Sequence, residues 1–169
     1  MSELHEPPRE AALARPDYAR WLLLTLRRAA WMPVALIVFH IFILLVLDAY
    51  TRFPPIDIPM HFLGGVSAAY FLRWAALTAA ECKIRAPLSP AALTRFVLIA
   101  TFAVTVLWEI AEFFLDRRFG SHLQLGPLDT LGDMFTGVCG AAALLARYGF
   151  ALPARTRSDN HRPSSISKS

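Results

Sequence analysis

Apolar residues run along this chain in long blocks separated by short polar breaks. The pattern has neither the strict alternation of a half-buried strand nor the narrow stripe of a soluble surface helix. Four blocks approach the roughly 20 residues that an α-helix needs to cross hydrocarbon. They cover about residues 29–50, 58–80, 91–115 and 130–150. Ahead of the first, the cluster from Trp21 to Leu24 alternates with Arg20, Arg27 and Arg28, which predicts a short surface helix within a cytoplasmic segment of residues 1–28. This leader is too long, and the apolar run behind it too extended, for a cleaved signal peptide, so the first block is read as a permanent anchor. Residues 151–169, rich in Arg and Ser, predict a disordered cytoplasmic tail. The fold class is therefore all-α: a polytopic membrane protein with four transmembrane helices in a compact bundle, residues 29–150.

Composition agrees with that class and adds an orientation. Of 169 residues, 56% are hydrophobic and 18% charged, more apolar content than one soluble core uses. The net charge of +4 does not point to nucleic acid, because the basic residues flank apolar blocks and no nucleic-acid motif interleaves them. Near the blocks, Arg15, Arg20, Arg27 and Arg28, then Arg73, Lys83, Arg85 and Arg95, then Arg147, Arg155, Arg157 and Arg162 face Arg52, Arg117 and Arg118 on the other side. Twelve against three places both termini and the middle connector in the cytoplasm. Cys82 and Cys139 have no metal-type spacing and predict no disulfide framework.

With that orientation the acids collect in one layer. Asp48 ends the first block there, Asp57 and His61 begin the second, Glu109, Glu112 and Asp116 end the third, and Asp129 and Asp133 begin the fourth. A carboxylate at the centre of a span costs about 2.5–3.5 kcal/mol, so the layer calls for a positive partner. Asp57, followed by Pro59, and Asp129 also fit plain helix caps, and Asp48 and Asp116 fit solvated interface positions. Capping explains neither Glu109, Glu112 nor Asp133. For the two glutamates the competing account is protonation or pairing with Arg117 or Arg118. His61 stands one turn from Asp57, whereas His40, alone in mid-block, reads as a cross-helix hydrogen-bonding residue rather than a haem ligand. Small residues after His61 (Gly64, Gly65, Ala68) and after Asp133 (Gly137, Gly140, Ala141) predict that these faces point into the bundle. Thr105 and Thr101 continue the acidic stripe of the third block.

The motifs Asp57-x-x-x-His61-Phe62 with Gly64-Gly65, Trp108-Glu109-x-x-Glu112-x-x-x-Asp116, and Asp129-Thr130-x-x-Asp133-Met134 with Gly137 together resemble the YjdF-type inner-membrane proteins, a family of undefined activity. More distantly the chain is similar to VanZ-like membrane proteins, some of which are linked to glycopeptide resistance; those usually carry Asn where this chain has Asp133. The resemblance spans about residues 29–147 and implies a small bundle in the bacterial inner membrane, without supplying a substrate.

An oxygen-rich set with one imidazole suits Mg²⁺, Mn²⁺ or Ca²⁺ better than a thiolate-type zinc site. The candidate ligands are Asp57, His61, Glu109, Glu112, Asp129 and Asp133, with Asp116 beside them in the polar site. A cation held there could polarise a lipid headgroup or lipid-linked phosphate at the outer surface. No haem and no nucleotide is expected, no Ser or Cys stands beside a histidine as a nucleophile, and whether the protein is an enzyme stays open. The bilayer is the expected partner, an oligomer is compatible, and nucleic acid is not expected. The alternatives are a proton- or cation-coupled transporter, which would need an oligomer, and a non-enzymatic envelope or antibiotic-resistance factor.

Overall fold

The computed structural model describes residues 16–47, 49–120, 124 and 126–149; the expectations for Asp48 and for the tail from 151 onward lie outside them. The described residues form helices and no strand: α1 (Tyr18–Ala29), α2 (Trp31–Leu45), the single turn α3 (Ala49–Arg52), α4 (Asp57–Glu81), α5 (Pro90–Phe119) and α6 (Pro127–Gly149), with a 3-10 turn at Pro54–Ile56 before α4. Both α5 and α6 are long and apolar enough to cross a membrane. A third crossing element appears if α1 and α2 are taken together.

The bend in that pair, 55° at Ala30, falls where the expected surface helix gives way to the first block. The block at 29–50 is nevertheless not one helix, because α2 ends at Leu45. Pro33 explains the bend. It has no N–H to give to the carbonyl of Ala29, and its ring would clash with that carbonyl in a continuous helix. On α1, Thr25 and Ala29 are buried while Leu22, Leu23 and Leu26 remain exposed, so one face packs and the other stays apolar and open.

α4 is the hub. It is 25 residues long and packs on α1, α2, α5 and α6, most extensively on α6. It falls below the hydropathy that marks the outer helices as crossing elements, as a helix surrounded by protein can. Contact with α6 rests on glycine. A Cβ at Gly65 would collide with the backbone of Gly137, and one at Gly140 with the carbonyl of Phe62. From α5, Thr105 closes the same point, its Cγ2 2.6 Å from where a Gly137 Cβ would stand. The backbones of α4 and α6 thus meet at Gly65 and Gly137, with the side chain of Thr105 packed against them.

Two cap expectations are revised. The residue before α4 is Ile56, which provides no side-chain cap, so Asp57 lies in the first turn. Likewise α6 starts at Pro127, after Gly126 at φ 142°, and Asp129 lies inside its first turn. The end of α5 does follow the usual rule: Gly120 adopts the left-handed conformation at φ 65° and its N–H reaches the carbonyl of Asp116.

Candidate metal centre

The glycine junction sets the level of the polar side chains. His61 precedes Gly65 by four residues, Asp133 precedes Gly137 by four, and Glu109 follows Thr105 by four on the antiparallel α5. One helical turn from a shared contact, on the same faces, brings all three to one depth. Asp57 lies one turn further out on α4, and Glu112 one turn further out on α5. His61, Glu109, Glu112 and Asp133 are buried, and Asp57 is half-buried.

His61 is central. Its Nε2 lies 3.2 Å from Asp57 Oδ1 and 3.8 Å from Asp133 Oδ2, and its Nδ1 lies 3.7 Å from Glu109 Oε1. Only the first is short enough for a hydrogen bond. Ligand atoms held about 2.1–2.5 Å from a common ion are roughly 3–4 Å apart, so the wider separations suit shared coordination. Two sets of donor atoms, each mutually within 4.8 Å, meet that description: Asp57, His61 and Asp133 on one side of the imidazole, and His61, Glu109 and Glu112 on the other.

The surroundings differ between the two glutamates. Trp108 Nε1 donates to Glu112 Oε1 at 2.7 Å. Gln124 Nε2 donates to Glu109 through both its backbone carbonyl, at 2.9 Å, and its Oε2, at 3.2 Å. Glu109 Oε1 remains buried with no hydrogen-bond partner, in a residue only 4% exposed. An uncompensated carboxylate oxygen in that position is costly. The arginines expected to relieve it are engaged elsewhere, Arg117 over the ring of Phe113 and Arg118 over that of Phe119.

Asp116 and Asp129 belong to neither set of possible ligands among the described residues. Asp116 accepts a hydrogen bond from the backbone N–H of Gln124 at 2.9 Å and so holds Gln124 against the end of α5. His40 makes the polar contact expected of it, 2.8 Å from the Tyr50 hydroxyl, with its ring edge-on to Trp108. Gln124, Trp108 and Tyr50 were not among the residues expected at the site. Trp108 was detectable from its four-residue spacing to Glu112, whereas Gln124 meets Glu109 from 15 residues away, beyond the reach of any helical spacing.

A family model described as "Predicted membrane protein (DUF2238)" matches residues 21–153, and the YjdF-type resemblance is to this same family. No curated protein and no solved structure matches the chain.

Proposed function

The chain belongs to the DUF2238 family of predicted membrane proteins, and from that premise we propose that it binds a divalent cation where α4, α5 and α6 meet. His61 Nδ1, Glu109 and Glu112 are the ligands. Asp57, accepting the N–H of Nε2, fixes the tautomer and aims the ring, the role a carboxylate commonly plays behind a metal-bound histidine. The observation that carries this reading is the buried, partnerless Glu109 Oε1 facing His61. Two carboxylates and one imidazole favour Mn²⁺ or Mg²⁺, with Ca²⁺ the larger alternative. Asp133 stands by on the far side of the imidazole.

In the same proposal the bent α1–α2 pair, α4, α5 and α6 make four crossings of a bacterial inner membrane. The excess of Arg and Lys at both ends and in the middle connector puts the termini in the cytoplasm and the cation near the outer surface.

Metal analysis of the purified full-length protein tests the reading. Wild type should carry a stoichiometric divalent metal, and Glu109→Gln and Glu112→Gln should each lose it. Asp57→Asn should weaken binding by about 10–100-fold. Wild type that stays metal-free in Mn²⁺- and Mg²⁺-supplemented buffer would rule the centre out. Metal that survives both glutamine variants but leaves with Asp133→Asn would move it to the opposite side of His61.

A further inference from the structure

Beside the acidic cluster, α2, α4 and α5 enclose a cavity of about 450 Å³, within the range of small-molecule sites. Its wall on α4 runs from Asp57 to Leu72, about 22 Å at the helical rise, against a hydrocarbon core of about 30 Å. The two ends differ. At one are Asp57, His61, Glu112 and Trp108; at the other are Pro33, Leu36, Phe71 and Leu72. Beyond the bend at Ala30, α2 leans on α4, and at the polar end of the space its His40 meets Trp108 of α5 edge-on.

Two residues in the wall have no account in the packing. Gly64 lies inside α4, where glycine weakens a helix, yet a Cβ there would meet nothing within 4 Å. Its neighbour Gly65 is needed for close approach; Gly64 instead leaves the cavity wide next to His61. Ser67 lines the same cavity, is 2% exposed, and its hydroxyl has no hydrogen-bond partner. It stands about 9 Å along α4 from His61. A buried hydroxyl donor at that distance awaits an acceptor part-way down a bound molecule.

We propose that the cavity receives one chain of a phosphate-headed ester lipid, its phosphate coordinating the cation and an ester carbonyl accepting from Ser67. This rests on the cation site proposed above. Two of the cation's ligands, His61 and Glu112, face the cavity, so open coordination positions point into it. Among the described residues no Lys or Arg lines the space, so the cation is the positive charge that meets an anionic head there. Binding is therefore metal-dependent, and entry is sideways from the bilayer between α2 and α5.

The test uses full-length protein in detergent, phosphatidic acid as the probe, and native mass spectrometry, with metal measured on the same samples. Metal-loaded wild type should retain one phosphatidic acid per chain and release it on chelation. Gly64→Phe should lose lipid at least tenfold while keeping its metal, with Gly64→Ala close to wild type. Ser67→Ala should weaken the ester lipid several-fold and leave an ether-linked analogue unchanged. Metal-loaded protein that binds no phosphatidic acid, or binds it equally in Gly64→Phe, overturns the lipid proposal and leaves the cation site standing. Lipid kept after complete metal removal, or preference for a long-chain amine or a polyprenyl phosphate, overturns it as well. Protein without metal sinks the cation reading first.

Discussion

The two ends of α4 treat polar side chains in opposite ways. Near its C-terminus Glu81 meets Arg28 of α1 through two contacts of 2.7 and 2.8 Å, and the hydroxyls of Thr25 and Thr78 lie 2.7 Å apart. Trp21 Nε1 donates to the carbonyl of Ala75 at 2.9 Å, completing a set of cross-helix contacts that lock α1 to α4. Near its N-terminus, α4 presents Asp57 and His61 to three more carboxylates, and Glu109 keeps an oxygen without a partner. An acid matched by a base is a fastening. Acids gathered deeper in the protein around a single imidazole are a receptor for something positive.

That contrast can be broken in three places. The largest effect is expected from Gly65→Leu, since the backbone of Gly137 occupies the space a side chain needs. Overpacking there should cost about 3 kcal/mol or more and remove the metal too, read by thermal unfolding in detergent and by metal content. An unchanged melting temperature would show that the acidic cluster does not depend on this helix junction. Next, Glu109→Gln should reverse sign with conditions. In chelator it should be more stable than wild type by about 1–3 kcal/mol, because a buried carboxylate with one unpartnered oxygen is removed. With metal present wild type should regain the lead. A variant already less stable in chelator would mean that the carboxylate is compensated without metal. The smallest effect belongs to Arg28→Ala. Both partners of that ion pair are more than a third exposed, so the loss should stay below about 1 kcal/mol and shrink in high salt. A larger, salt-insensitive loss would mean that stacking of Arg28 over Trp74, rather than its charge, holds α1 in place.

Particular residues show how far the sequence could be read. Glu109 and Glu112 are three apart and His61 is four from Asp57, so their shared faces were visible as helical spacing. Asp116 and Asp129 have the same helical spacing, four residues from Glu112 and from Asp133, yet they join neither set of possible ligands. A shared face does not fix the partner, and Asp116 accepts from Gln124 instead. The boundary between the surface helix and the first block was legible at residues 28 and 29 from charge and hydropathy, but neither gives the 55° angle between the two helices. Gln124 and Ser67 gave no signal, because what distinguishes them is a partner, present or lacking, in another part of the bundle.

What the chain determined by itself was local: apolar blocks long enough to make helices for a membrane, carboxylates set into them at one depth, and small residues where backbones could approach. These follow from the rise and period of a helix, which act within a few turns. What only the tertiary structure decided was mutual placement. Contact among Gly65, Gly137 and Thr105 selected which acids surround His61, and the packing of α2 and α5 on α4 left a cavity beside them. Both depend on helices far apart in sequence finding their closest packing, and no single stretch of residues encodes that distance.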